Sequence, residues 1–255
     1  MTGAPILRLE NVSLSFGGLR AIAGLDAEVC AGEVLAVIGP NGAGKTSMLN
    51  LVTRVFDCSG GRILFKDADI ARVPRHRIAR LGIARTFQNI ELFEAASVLE
   101  NLMLGRYRFG GGSWLAQALR TPALVRLEEE HRARVEEVID FLDLSPWRGA
   151  LVGGLPYGVR KVVELGRALC TGPELLFLDE PASGLNPEET RDLAFWIDDI
   201  RTDLGITVVM IEHDMSLVSA VADRVICMAQ GAVLAEGNAA EVQSDPAVIA
   251  AYLGA

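Results

Sequence analysis

Residues 39–47 constrain this chain more than any other stretch. They read Gly39-Pro40-Asn41-Gly42-Ala43-Gly44-Lys45-Thr46-Ser47 and contain the spacing G-x-x-x-x-G-K-[ST]. Each fixed position has a chemical reason. The glycines let backbone N–H groups turn inward around phosphate oxygens. Lys45 can reach β- and γ-phosphates, and the Thr46 hydroxyl suits Mg²⁺. A loop of this kind needs a buried strand to deliver it and a helix whose N-terminal end faces the phosphates. Both are legible: Glu33-Val34-Leu35-Ala36-Val37-Ile38 is a short apolar run suited to a buried strand, and the residues from Lys45 onward suit a helix.

The chain has 255 residues, half of them hydrophobic, enough for a sizeable core. Its net charge of −9 argues against a nucleic-acid partner unless a local basic patch overrides it. The densest basic stretch, Arg72, Arg75, His76, Arg77, Arg80 and Arg85, reads as a solvated helix face or a docking surface. The four cysteines lie far apart, without a C-x-x-C pair or a nearby histidine cluster, which argues against zinc and against a disulfide framework. Cys30, Cys170 and Cys227 sit in apolar segments and read as core thiols. The N-terminus lacks a signal pattern, and no apolar run approaches the ~20 residues that span a bilayer. A soluble, cytoplasmic protein is expected, with any membrane role reached through a partner.

Residues 6–38 alternate apolar and polar positions between glycine breaks, predicting antiparallel strands that lead into the loop strand. Ile63-Leu64-Phe65 predicts another strand. Residues 97–145 read as mostly helical, with Val135, Val138, Ile139 and Leu142 on one face and Gly110-Gly111-Gly112 as a loop. Beyond residue 170, Leu175-Leu176-Phe177-Leu178 and Ile206–Ile211 predict buried strands. Between them a helix starts at Pro187, capped by Asn186 with Glu189 completing a capping box, and presents Leu193, Trp196, Ile197, Ile200 and Leu204. Strands alternating with helices predict an α/β fold with a largely parallel sheet. No internal repeat is present, so the chain carries one nucleotide site's worth of motifs.

Leu178-Asp179-Glu180-Pro181 ends an apolar strand. A carboxylate there can hold Mg²⁺, and the next can polarise an attacking water. Three more elements follow the same logic: Gln88 after Arg85-Thr86-Phe87, Leu155-Pro156-Tyr157-Gly158 before a helical stretch, and His213 in Ile211-Glu212-His213-Asp214. The order of phosphate loop, Gln, glycine signature, Asp-Glu and His resembles the ATP-binding cassette (ABC) ATPases over essentially the whole chain.

That resemblance implies a P-loop (RecA-like) core with an antiparallel β subdomain and a helical subdomain inserted at about residues 91–170. It implies ATP and Mg²⁺ as ligands. By resemblance, Phe16 stacks on adenine, and the residues Gly39 through Ser47 hold phosphate. Thr46, Gln88 and Asp179 serve the metal, Glu180 is the catalytic carboxylate, and His213 contacts the γ-phosphate. Gln88 also touches membrane subunits, and Ser183-Gly184-Leu185-Asn186 crosses between paired subunits. Leu155, Pro156, Tyr157 and Gly158 match the signature that acts on ATP held by the opposite subunit. Here the chain departs from the pattern, with Pro156 where Ser is usual and Val159 where Gln is usual. The hydroxyl that would meet that phosphate is absent, and the Gly158 amide and the helix N-terminus remain as donors.

Phe16-Gly17-Gly18-Leu19, Arg85-Thr86-Phe87-Gln88, Ile211-Glu212-His213-Asp214-Met215, Ala251-Tyr252-Leu253-Gly254 and a long helical insertion around 106–134 are similar to the ATPase subunits of branched-chain amino-acid importers. The implied partners are transmembrane permeases, a second cassette ATPase (identical or different) and, indirectly, an extracytoplasmic solute-binding protein. The implied location is the cytoplasmic face of the plasma membrane. Related importers carry urea, amides or aromatic acids, and a lipopolysaccharide or drug exporter would use the same motor. A soluble cassette protein of translation or DNA repair would usually carry two cassettes or a long coiled coil. A GTPase would want an Asn-Lys-x-Asp base reader, which is absent here.

Overall fold

The computed structural model describes residues 4–110 and 121–253. Two sheets organise them. In the first, β1 (Pro5–Phe16) and β2 (Leu19–Cys30) form an antiparallel hairpin through Gly17-Gly18, β4 (Gly60–Phe65) pairs with the other edge of β1, and β5 (Ala68–Asp69) closes the order β2-β1-β4-β5. The second contains β3 (Val34–Ile38), β6 (Ile83–Arg85), β7 (Leu175–Asp179), β8 (Thr207–Ile211), β9 (Arg224–Ala229) and β10 (Ala232–Gly237), in the order β10-β9-β3-β8-β7-β6. All its pairs are parallel except β10 with β9. The α/β expectation and the antiparallel lead-in both hold.

Strands β3, β7 and β8 are buried at every position, which is why they read as unbroken apolar runs. Their pleat divides the core. Ala36, Ile38, Leu176, Leu178, Val208 and Met210 pack with the long helices, while Leu35, Val37, Phe177, Val209 and Ile211 pack with the first sheet and α1 (Lys45–Val52). Burying a side chain such as Phe177, 1% exposed, contributes about 1.5–3 kcal/mol.

Next in chain order come α2 (Arg75–Ile78), α3 (Val98–Leu104), α4 (Pro122–Phe141) and α5 (Tyr157–Cys170). Arg72, Arg75, His76, Arg77 and Arg80 are exposed, as a solvated basic face should be, but Arg85 departs from that expectation: it ends β6 with its side chain 10% exposed, drawn inward by Asp179. Helices α3, α4 and α5 pack together around Leu102, Val135, Ile139 and Leu142. Gly166 of α5 permits the close approach: a Cβ there would stand 2.9 Å from Leu102 Cδ2 and 3.1 Å from Leu142 Cδ1. Gly110 follows a short 3-10 turn (Gly105–Phe109); Gly111 and Gly112 of the expected loop, and Gly254, lie outside the described residues.

Helix α6 (Pro187–Thr202) begins where its capping signals place it. Asn186 Oδ1 accepts the N–H groups of Glu188 and Glu189 at 2.9 and 3.0 Å, and Glu189 accepts the Asn186 N–H in return at 2.9 Å. It stops sooner than the apolar pattern suggests. Leu204 lies beyond its end and is 46% exposed, because the chain turns at Gly205 with φ 65°. Cys30, expected in the core, is only half-buried at the end of β2, whereas Cys170 and Cys227 are buried. The chain closes with α7 (Met215–Val221), α8 (Ala239–Ser244) and α9 (Pro246–Leu253). Among the described residues, no helix is long and apolar enough to cross a membrane.

Candidate functional site

The parallel register lines up the carboxyl ends of four strands. Val37 is level with Ile211, Ile211 with Asp179, and Phe177 with Arg85. Loops leaving these ends therefore meet along one sheet edge, the place where open α/β sheets bind ligands. β3 delivers residues 39–47, β6 delivers Gln88, β7 delivers Asp179 and Glu180, and β8 delivers Glu212 and His213.

The loop after β3 is shaped by its glycines. Gly39 has φ 142°, and a Cβ there would fall 2.2 Å from the Met228 carbonyl oxygen, so no other residue fits. Gly44 sits at the N-cap of α1 with φ 102° and offers no side chain to the first turn. The N–H groups of Lys45, Thr46 and Ser47 are thereby left for an external acceptor, the electrostatic condition for an anion at a helix start. Asn41, Gly42 and Thr46 are exposed while Gly39 and Ala43 are buried, so the loop presents one face outward. Lys45 folds back over it, its Nζ donating to the carbonyls of Gly39 at 2.5 Å and Pro40 at 3.0 Å. Burial lowers the Lys45 pKa from its ordinary value, and the charges of Glu180 and Asp179 oppose that shift.

Beside the loop stand the carboxylates. Asp179, whose side chain is 4% exposed, pairs with Arg85 at 2.7 Å, and Arg85 also donates to Asn50 Oδ1 at 2.6 Å. Glu180 has φ 49°, a left-handed conformation that costs a non-glycine residue energy. Its N–H donates to the Ile211 carbonyl at 2.9 Å, which ties β7's end to β8's, and its Oε2 accepts from Gln88 Nε2 at 2.7 Å. Gln88, Asp179, Glu180 and Lys45 are thus neighbours.

His213, Phe16 and residues 155–158 make no hydrogen bond to that cluster. His213 is exposed, while its N–H donates to the buried Glu212 at 2.8 Å. Phe16, 46% exposed at the end of β1, packs edge-on against Phe56 with ring centroids 5.0 Å apart. Leu155 is buried just before α5, Pro156 is the N-cap without a side-chain hydrogen bond, and the Tyr157 hydroxyl donates to the Ser183 carbonyl at 3.3 Å. Gly158 lies against Glu189, whose Oε1 would stand 2.1 Å from a Cβ there.

Several partners escaped the sequence reading. Glu212, 1% exposed, accepts the N–H groups of Ala182, His213 and Asp214 and so fixes the turns after both β7 and β8. Helix α5 grips the Gln88 loop with side chains three residues apart: Lys161 Nζ donates to the Gln88 carbonyl at 3.3 Å, Glu164 accepts the Phe87 N–H at 3.2 Å, and Arg167 donates to the Glu91 carbonyl at 2.5 Å. Burial raises the Glu164 pKa, and the Phe87 N–H and Lys161 oppose it. The available signal was the three-residue spacing of Lys161, Glu164 and Arg167 along a helix whose other residues are mostly apolar.

The donors around the loop are a hydroxyl, an amide oxygen and a carboxylate, an oxygen set suited to a hard cation such as Mg²⁺. The guanidinium already drawn to Asp179 shows that this carboxylate calls for positive charge. Among the described residues, no group of three or more His, Cys, Asp or Glu side chains could hold a metal ion by itself, so phosphate and water would have to complete any such shell.

The family model described as ABC transporter matches residues 22–183, and one described as branched-chain amino acid ATP-binding cassette transporter matches residues 232–255. The chain is 40% identical over 250 residues to the high-affinity branched-chain amino acid transport ATP-binding protein BraF of Pseudomonas aeruginosa, with 98% of each chain covered. It is 37% identical to LivG of Escherichia coli strain K12, a protein of the same description, again with 98% of each covered. A crystal structure of a nucleotide-free ATP-binding cassette from an ABC transporter aligns with TM-score 0.86 at 33% identity, covering 98% of this chain and 100% of that one. One of an ADP conformation of such a cassette aligns with TM-score 0.86 at 34% identity, covering 98% and 99%. With loop, carboxylates and glutamine gathered on one sheet edge and relatives matching nearly end to end, this chain belongs to the ATP-binding subunits of ABC transporters.

Proposed function

We propose that this chain is the ATP-hydrolysing subunit that powers an importer of branched-chain or other hydrophobic amino acids. The observation that carries this reading is the meeting of the phosphate loop, Gln88, Asp179 and Glu180 at adjacent strand ends. The substrate class rests on relatives such as BraF and LivG, and on the C-terminal family match.

In this reading the loop N–H groups and Lys45 hold the phosphates, and Phe16 stacks on adenine. Lys45 leaves the Gly39 and Pro40 carbonyls to do so. Thr46, Gln88 and Asp179 would hold Mg²⁺, which when bound offsets phosphate charge. Glu180 exchanges its hydrogen bond with Gln88 for one to the attacking water, and His213 stabilises the γ-phosphate as charge develops. The helical segment of about residues 91–170 acts as an inserted subdomain. Its signature, Leu155–Gly158, serves ATP held by a second cassette subunit closing head to tail. The segment and the Gln88 loop pass that closure to permeases at the cytoplasmic membrane face, which a solute-binding protein supplies from outside.

Glu180→Gln should keep ATP binding and lose nearly all turnover; hydrolysis at the wild-type rate would remove Glu180 from the mechanism. Gently solubilised membranes should yield the tagged chain with two permeases and a cassette ATPase partner. Recovery with ribosomes or DNA would overturn the transport assignment.

A further inference from the structure

We propose that Tyr252 is a positioning residue of the nucleotide site: through its hydroxyl, helix α9 holds Gly39 in the conformation that receives phosphate. This rests on the reading of residues 39–47 as the phosphate loop.

Strand β3 ends at Ile38, the last residue in register with β9. The next N–H, that of Gly39, is buried and lies past the ladder. A buried donor without a partner is costly, so its acceptor matters. That acceptor is the Tyr252 hydroxyl, at 2.8 Å and 213 residues away in sequence. Tyr252 is 42% exposed as a residue, yet its hydroxyl meets the N–H of buried Gly39, and burial raises the phenol pKa, opposed by that N–H. The Tyr252 side chain therefore reaches inward from a shallow helix end, next to Leu253, which is 83% exposed.

Gly39 is engaged from both sides. Its carbonyl accepts from Lys45 and its N–H donates to Tyr252. When Lys45 turns to phosphate, the carbonyl contact is released and Tyr252 keeps its hold. The far end of the loop has a separate support, the Gly231 N–H donating to the Ala43 carbonyl at 2.9 Å. Tyr252 also lies within residues 232–255, matched by the branched-chain family model, whereas the loop lies within 22–183, matched by the general one. A loop within the general match is thus braced by a residue within the branched-chain match.

The brace acts on the loop itself and not on the reacting γ-phosphate. Losing it should weaken ATP and ADP alike and raise KM with little change in kcat. Tyr252→Phe keeps the ring and removes the acceptor. In the full-length chain, calorimetry should show about fivefold weaker binding of both nucleotides, the scale of one hydrogen bond. Amide exchange of the peptide containing Gly39 should quicken, while Leu253→Ala on the same helix should change neither. Lys45→Ala is measured alongside. If Tyr252→Phe binds both nucleotides like wild type while Lys45→Ala has lost binding, the proposal is wrong and the phosphate-loop reading stands. A lower melting temperature with unchanged affinity likewise overturns it, since Tyr252 would then serve the fold alone. Wild-type binding by Lys45→Ala brings down the phosphate-loop reading and the proposal with it.

Discussion

Arg85→Met tests whether Asp179 is a carboxylate awaiting a metal. The guanidinium stands 2.7 Å from an Asp179 side chain that is 4% exposed, and is itself 10% exposed. Removing one member of a buried pair strands the other, at a cost of about 3–5 kcal/mol. The hydrogen bond to Asn50 goes too, while methionine restores part of the packing volume. The net loss should be about 3 kcal/mol, large beside a total of roughly 5–15 kcal/mol but not enough to unfold the chain. Urea unfolding followed by tryptophan fluorescence measures it. The informative step is to repeat the titration with MgATP and with ATP plus a chelator. A bound cation would supply the charge that Arg85 took away, so MgATP should narrow the gap between variant and wild type, and chelated ATP should leave it. A loss under about 1 kcal/mol would mean that Asp179 never depended on Arg85. A gap unmoved by MgATP would refute the assignment of Asp179 to the metal.

Glu164→Ala removes the acceptor for the Phe87 N–H and the carboxylate beside Lys161, which is 8% exposed; it should cost about 3 kcal/mol in the same titration, and Glu164→Gln distinctly less. Equal losses would show that the carboxylate's charge, and not its acceptor oxygens, holds the loop. Asp214 caps α7, and its carboxyl is held below the ordinary carboxylate range by the Ser216 hydroxyl first and by the Leu217 and Ser216 N–H groups. A depressed pKa stabilises the fold above the unfolded value and is lost as pH falls through the folded one. Asp214→Ala should therefore cost about 1 kcal/mol at neutral pH, with the deficit fading in acid; a deficit that stays constant down to the acid limit would contradict this account.

What was legible in the sequence was chemistry tied to fixed local spacing. Gly39 to Ser47, the Asp179-Glu180 pair and the Asn186–Glu189 capping box each specify their conformation within a few residues, and the structure forms the loop, strand end and cap there. Glu212, Lys161, Glu164 and Arg167 were given no role, and Arg85 was read only as part of a solvated basic stretch, because their partners lie far off in the chain: Asp179 is 94 residues from Arg85, and Phe87 is 77 from Glu164. Such contacts arise only once the sheet order is fixed. Leu204 failed for the opposite reason, since its periodicity was right while the turn at Gly205 ended the helix first.

The grip of α5 on residues 87–91 has a mechanical corollary. The helix is 14 residues long, about 21 Å from the Tyr157 turn to Cys170. Its near end carries Gly158, part of the signature proposed above to meet a neighbour's nucleotide, and its flank is fastened to the loop whose glutamine bonds Glu180. A displacement of Gly158 should therefore reach Gln88 through these bonds, and under the proposed function two ATP sites and a membrane contact would share one moving part.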